Sequence, residues 1–304
     1  MARCDVLVTG ARGFVGGHVL ARAVHAGLSA IAADGDLRDV SVADAAVGAA
    51  RPRAVLHLAA TRRGDRAWAA LSDDLAMAGA VIDAVARHAP EAPVLIPGSA
   101  AQYGMGNARP LTEGDDTSVP VSAYGVMKSV IEHAVSADPL RRSVRVIIAR
   151  SFNHIGPGQG AGAPAAQWAR EIVAAEAAGG GIVRVGDLAV VRDFLDVRDV
   201  VDAYIALVRS TANGVVNVCS GVPTPLRRVL DLLVGSSKVP IAVEHDPGLS
   251  RAVDPPSVVG DPARLRHLTD WSPAISLEQS VADLLADLRC GAATVAPDMQ
   301  AVGS

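Results

Sequence analysis

Aromatic side chains make up only 3% of this 304-residue chain, with three each of Trp, Tyr and Phe. A core so short of large rings must be filled by many small aliphatic side chains, as layers of helices on a sheet are. Cysteine is as scarce: Cys4, Cys219 and Cys290 stand far apart without metal-ligand spacing, and they read as small buried hydrophobes, not as a metal site. No uninterrupted apolar segment is long enough to span a bilayer. The start, Met1-Ala2-Arg3-Cys4-Asp5, passes straight into a strand with no leader pattern. Blocks of like charge are missing as well. The formal net charge is −4 with acids and bases interspersed, which leaves no basic surface for nucleic acid. Repeats and low-complexity tracts are absent. The expectation is a soluble cytoplasmic α/β protein of one large domain, or one plus a small lobe, with no metal and no nucleic-acid or membrane partner.

What is present begins at Asp5-Val6-Leu7-Val8-Thr9, a continuous apolar run of the kind found in buried parallel strands. It leads into Gly10-Ala11-Arg12-Gly13-Phe14-Val15-Gly16 and then a helical pattern to about His25. Three glycines at that spacing between strand and helix form a dinucleotide fingerprint: the backbone turns sharply, and a pyrophosphate can sit at the helix N-terminus. A glycine-rich turn that only packs helix on strand is the alternative. Leu28 to Ala33 reads as the second strand, ending in Asp34. A carboxylate there can hold the ribose hydroxyls of NAD, and an ordinary turn aspartate before Gly35 explains it equally well. Arg12 and Arg38 can meet the 2′-phosphate of NADP or be solvated surface residues, so the coenzyme choice stays open. Asp36-Leu37-Arg38-Asp39 and a helix from Val42 to about Ala50 follow at once, where a usual dinucleotide fold has a further helix and strand.

Ala54 to Ala60 is another buried strand, with His57 reading as a hydrogen-bonded core histidine. Thr61 to Arg66 reads as a mobile polar loop and Asp74 to His88 as an amphipathic helix. Val94-Leu95-Ile96 is a strand that delivers Ser99, and Gly104 to Pro120 is loop. The helix opened by Ser122 carries Tyr124 and Lys128 one turn apart, on one face. A phenol with a reference pKa near ~10 is a poor acid or base at neutral pH, and a fixed ammonium beside it favours the phenolate. Ser99, Tyr124 and Lys128 can then exchange a proton with a carbonyl or alcohol oxygen while a nicotinamide exchanges a hydride with its carbon. Val144 to Arg150 is the next strand; beyond it helices and strands alternate irregularly, and Ala292 to Ser304 reads as a frayed end.

Gly10-x-x-Gly13-x-x-Gly16, Ser99, Tyr124-x-x-x-Lys128 and the long C-terminal segment resemble extended short-chain dehydrogenases/reductases that modify nucleotide sugars. Ser151-Phe152-Asn153-His154-Ile155-Gly156-Pro157-Gly158-Gln159, Val191 to Asp199 and Val216 to Gly221 look like GDP-4-keto-6-deoxy-D-mannose reductases and their relatives, among them GDP-mannose 4,6-dehydratases. The likeness runs to about residue 289, and the shortened stretch after Asp34 looks more like dTDP-4-dehydrorhamnose reductases. The resemblance implies a Rossmann-type doubly wound parallel sheet over 1–155. It implies a smaller irregular C-terminal substrate lobe over 156–290, with some segments returning to the sheet, and a disordered tail over 291–304. NAD(P) is then held by Gly10, Arg12, Gly13, Phe14, Val15, Gly16, Asp34, Asp36, Leu37, Leu58, Ala59, Ala60, Thr61, Tyr124, Lys128, Ser151 and Asn153, with the choice between NAD and NADP open. A nucleotide sugar meets Ser99, Ala100, Tyr124, Asn153, Arg192, Arg251 and Asp254, with Arg192 and Arg251 on the diphosphate and Asp254 on the nucleoside ribose.

The 4,6-dehydratases carry an acidic residue after the active-site hydroxyl, whereas this chain reads Ser99-Ala100-Ala101-Gln102. Elimination across C5 and C6 of the sugar needs a base near C5, and neither alanine nor glutamine is one. The expected activity is therefore NAD(P)H-dependent reduction of the 4-keto group of a nucleotide-linked 4-keto-6-deoxyhexose, GDP-linked by preference and dTDP-linked as the other choice. A 4-epimerase or 4,6-dehydratase, or a non-catalytic dinucleotide-binding regulatory protein, are the alternatives. A homodimer through the Asp74 and Tyr124 helices is implied by the same likeness.

Overall fold

Val6–Thr9 (β1) is buried along its length, as a strand covered on both faces must be. In the computed structural model, which describes residues 3–61, 67–106, 109–115, 117, 119–137, 144–250 and 253–295, it lies second from one edge of a six-stranded parallel sheet. From β1 the chain turns through Phe14–His25 (α1) into Ala30–Ala32 (β2), then Val40–Ala50 (α2) and Ala54–His57 (β3). Ala67–His88 (α3), Val94–Ser99 (β4), Ala123–Ala137 (α4) and Val146–Ser151 (β5) follow. The second half supplies Asn153–Ile155 (β6), Pro164–Ala178 (α5), Gly181–Val185 (β7), Val191–Asp196 (β8), Val197–Arg209 (α6) and Gly214–Val218 (β9). It ends with Pro223–Pro225 (β10), Leu226–Gly235 (α7), Ile241–His245 (β11), Ser257–Val258 (β12), Ala263–Leu268 (α8) and Leu277–Val295 (α9).

The sheet order is β2-β1-β3-β4-β5-β9. Direction of travel reverses between β1 and β3, which opens the crevice where open α/β sheets bind ligands. Only β2 lies beyond β1, so the half-fold that usually has three strands here has two, as the shortened stretch after Asp34 implies. Small side chains fill both layers. Helices α2, α3 and α4 cover one face through Val47, Ala78, Val81, Ile82, Val85 and Ile131, and α1 and α6 cover the other through Val19, Val201, Ala203 and Leu207.

Strand β8 anchors a second body. It pairs with β6, β10 and β12, and β7 with β11, beneath α5, α7 and α9. Trp168, Ile172, Leu230, Leu233, Leu284 and Leu285 form its separate core. Helix α6 and strand β9 come from this half of the sequence yet belong to the large sheet.

Several boundaries differ from the sequence reading: α2 starts two residues earlier, at Val40, β3 stops at His57, short of Ala60, and β5 starts at Val146, not Val144. Strand β2 starts at Ala30, not Leu28, because the Leu28 amide closes α1 onto the Ala23 carbonyl. Helix α3 begins at Ala67, ahead of Asp74, since Ala67-Trp68-Ala69-Ala70-Leu71 are mostly good helix formers; of the expected polar loop, residues 62–66 lie outside the described residues. Helix α9 runs on to Val295, into the stretch expected to fray. Among the described residues, no helix is long and apolar enough to cross a membrane, and no group of three or more His, Cys, Asp or Glu is placed to hold a metal ion.

Candidate functional site

The crevice holds a cavity of about 270 Å³ walled by the carboxyl ends of β1, β3, β4 and β5, the start of α1 and the first turns of α4. Its floor is the glycine turn. Gly10 adopts φ +66°, and its carbonyl accepts the Gly13 amide at 2.9 Å. A Cβ on Gly10 would overlap the Leu58–Ala59 backbone, and one on Gly16 would overlap the Gly10 carbonyl. Gly13 caps α1 with no side chain, so the first amides of the helix are left for an anion in the cavity. A pyrophosphate fits this cradle, because it supplies the acceptors that those amides lack.

Strand β3 leads into Leu58, Ala59 and Ala60, all on the wall. The Thr9 hydroxyl ties the two strands together, bonded to His57 Nδ1 at 2.9 Å and accepting the Ala59 amide at 3.1 Å. Burial, with the Lys128 charge second, pulls the His57 imidazole down to about 4. The unfolded chain, with an ordinary value near ~6.5, therefore takes up the proton first. Stability from this group is full above about pH 7 and lost as pH falls towards about 4. Urea unfolding should show wild type losing about 2 kcal/mol more than His57→Gln between pH 7 and pH 5; an equal loss in both would reject the assignment.

At the far end, Tyr124, Lys128 and Ile131 present one face of α4 to the cavity. Lys128 Nζ donates to the Pro97 carbonyl at 2.9 Å and lies 5.9 Å from the centre of the Tyr124 ring. One of three ammonium protons is thereby fixed on β4, and two remain to serve a ligand. Beneath them the Ser151 hydroxyl meets the Tyr204 hydroxyl of α6 at 2.6 Å. Burial pushes the Tyr204 phenol upward. His154 stacks on Phe14 with centroids 5.7 Å apart, closing the side of the cavity next to α1.

Of the expected residues, Gly10, Gly13, Phe14, Val15, Gly16, Leu58, Ala59, Ala60, Tyr124, Lys128 and Ser151 share this wall. The others stand off it, each for a visible reason. Arg12 pairs with Asp34 at 3.2 Å with both side chains exposed. Arg38 binds Asp36 through two nitrogens and also reaches Asp73; the Arg38 guanidinium holds the Asp36 carboxyl down at about 2. Leu37 is buried in the core against the sheet. Thr61 is turned to Asp74, which accepts both its amide and its hydroxyl at 2.7 and 2.6 Å. Ser99 caps a short 3₁₀ turn, Ala100–Tyr103, its hydroxyl accepting the Ala101 amide, and Ala100 is buried there. Asn153 donates to the Asp193 carbonyl at 3.2 Å. Arg192 is paired with Asp254 at 2.5 Å and donates to the Val191 and Pro255 carbonyls. Arg251 lies outside the described residues.

Asp74, Ala78, His154 and Tyr204 also line the cavity, and none was singled out from sequence. His154 sits inside the Ser151–Gln159 signature, which is the signal that would have found it. Tyr204 has no such signal, being one more buried position on an amphipathic helix.

Residues 6–219 match the NAD dependent epimerase/dehydratase family. The chain belongs to that family. It is similar to the GDP-6-deoxy-D-mannose reductase of Pseudomonas aeruginosa, 37% identical over 170 residues that make up 55% of this chain and 56% of that protein. It is also similar to the dTDP-6-deoxy-L-talose 4-dehydrogenase (NAD(P)(+)) of Kitasatospora kifunensis, 28% identical over 67% of this chain and 65% of that protein. These matches take in between about half and two thirds of the two curated relatives' length. Among solved structures, RMD from Pseudomonas aeruginosa complexed with NADPH superposes with a TM-score of 0.81, at 29% identity, covering 95% of this chain and 99% of that one. The family's Rossmann-like α/β fold is thus the fold of this chain.

Proposed function

We propose that the chain reduces the 4-keto group of a nucleotide-linked 4-keto-6-deoxyhexose, GDP-linked by preference, to the alcohol. The observation that carries this reading is that Tyr124 and Lys128 meet the Gly10–Gly16 cradle across one cavity. The cradle takes the coenzyme pyrophosphate, Leu58 to Ala60 give its backbone room, and Lys128 faces the nicotinamide ribose. Asp34, with Arg12 beside it, meets the far ribose. Bound NAD(P)H supplies a hydride for C4, leaving NAD(P)+. Tyr124 gives its proton to the C4 oxygen, so the carbonyl becomes a hydroxyl, and solvent reprotonates the phenolate. Ser99 turns its hydroxyl to the same oxygen. Arg192 and Arg251 neutralise the sugar's diphosphate, and Asn153 and Asp254 bind its polar edges, Asp254 at the nucleoside ribose.

Ala100 and Ala101 support reduction over dehydration, because the positions directly after Ser99, with Gln102 next, carry no acid or base that can take a proton from C5. The reading includes a cytoplasmic setting and a homodimer packed through α3 and α4, where Val126 and Val130 stand exposed on α4. The test is to incubate the protein with NADPH or NADH and a panel of GDP-, dTDP- and UDP-linked 4-keto-sugars. Loss of dihydronicotinamide absorbance matched by alcohol product, from protein that sediments as a dimer, is the expected result. Interconversion of the C4 epimers of nucleotide-linked 4-hydroxyhexoses, offered beside the panel, with no net coenzyme turnover would replace reduction by 4-epimerisation, and inactivity on the whole panel would end the reading.

A further inference from the structure

One turn beyond Lys128, the same side of α4 carries Glu132, a buried carboxylate with no part in the proton transfer. Arg150 of β5 grips it with a bidentate fork, Nη2 on Oε1 at 2.5 Å and Nε on Oε2 at 2.9 Å. Gln102, in the 3₁₀ turn after β4, donates to Glu132 Oε2 at 2.8 Å. The other end of the Gln102 amide folds back and accepts the Ser99 backbone N–H at 2.7 Å. All three side chains are buried, with Gln102 at 0% exposed.

Two glycines make this possible. A Cβ on Gly98 would overlap the Gln102 amide oxygen, and one on Gly125, next to Tyr124, would overlap the Ala101 carbonyl. Helix α4 and the Ser99 turn are thus in backbone contact, with the trio locked beside them. Arg150 is held in turn by the Tyr103 ring, 4.8 Å from its guanidinium carbon, and donates to the Glu113 carbonyl.

A buried charge cluster is a poor source of stability, since apolar side chains of similar volume often serve as well. What apolar packing lacks is direction: hydrogen bonds fix where each element lies along its neighbour. We infer that Gln102, Glu132 and Arg150 are positioning residues, a buried brace that sets Ser99 at the end of β4 against Tyr124 and Lys128 on α4. The inference rests on the reading of Ser99 and Tyr124 as acting on one carbonyl oxygen. Displacement of either hydroxyl by about 1 Å costs on the order of 100-fold in rate, so a brace at this place governs turnover while leaving the coenzyme cradle untouched.

Gln102→Leu removes both bonds to the amide and leaves the Glu132–Arg150 pair closed. Hydrogen exchange at the Ser99 amide should speed up about 10-fold or more, while exchange in the middle of β1 and β3 stays as in wild type. With substrate, kcat should fall about 10- to 100-fold, and the KM for coenzyme should stay within about twofold. Gln102→Glu is the second variant. It keeps the acceptor for Ser99, and when protonated also the donor to Glu132; the charged or titratable groups around it are Glu132, Arg150 and Tyr103. Its rate should approach wild type at acid pH and drop as that added proton leaves. Unchanged Ser99 exchange in Gln102→Leu, or a Gln102→Glu rate in constant ratio to wild type across pH, would overturn the brace. Should wild type reduce none of the sugars, the proposed activity fails by itself, and Ser99 exchange still decides the brace.

Discussion

Tyr124→Phe should lower kcat by about 10²- to 10⁴-fold, the span that a general acid contributes, with coenzyme binding retained. The substitution takes one oxygen and leaves the ring that walls the cavity. Lys128 keeps its bond to the Pro97 carbonyl, so the coenzyme side of the site is undisturbed. Neither Tyr204 nor His57, which also line the cavity, can take over. The Tyr204 phenol is engaged by Ser151 at 2.6 Å, and burial raises its pKa, which makes it a weaker acid than an ordinary tyrosine. His57 is held on Thr9 and is neutral at pH 7. Stopped-flow measurement of hydride transfer, with coenzyme affinity from fluorescence quenching, checks the split. A loss under about tenfold would mean that the proton reaches the sugar oxygen from elsewhere, and the role given to Tyr124 would fall.

Tyr124 and Lys128 were legible because their relation is local: four residues on a helix define a face wherever that helix lies. The same holds for Gly10, Gly13 and Gly16 between strand and helix, and for the shortened stretch after Asp34, which removes a strand from the sheet. Relations between distant segments were not legible in the same way. Arg12 and Arg38 read either as contacts for a 2′-phosphate or as solvated surface residues; Arg12 stands paired with Asp34, and Arg38 with Asp36 and Asp73. A guanidinium pairs with whatever carboxylate the fold brings near, and the identity of that carboxylate is tertiary information. Gln102 illustrates the limit most sharply. In sequence it marks only the lack of an acid after Ser99; in the fold its two ends join residues 3 and 30 positions away. Tyr204 reaches Ser151 from 53 positions away, through the sheet's opposite layer.

Asp193→Asn should be among the most destabilising single-atom changes in the chain, by about 3 kcal/mol, the scale for leaving a buried polar group unpaired. Asp193 on β8 is fully buried, and burial pushes its carboxyl up. Four donors converge on it nonetheless. Oδ1 accepts the Ser220 amide at 2.8 Å and the Ser220 hydroxyl at 2.7 Å; Oδ2 accepts the amides of Gly221 at 2.9 Å and Gly260 at 3.2 Å. Three of these donors are backbone N–H groups, which can never accept. An ionised carboxylate satisfies all four, whereas an asparagine, in either flip, turns its own N–H pair against at least one of them. The turn after β9 and the stretch after β12, both held by these bonds, would lose their common anchor. The effect should reach the substrate side too, because the Asp193 carbonyl holds Asn153, and Arg192 precedes it on the strand. Urea unfolding of the variant should give a markedly lower midpoint with an unchanged slope, and its KM for the nucleotide sugar should rise more than its KM for coenzyme. A destabilisation below about 1 kcal/mol would mean that the site already carries a proton in the native protein, so that an amide replaces the acid at little cost.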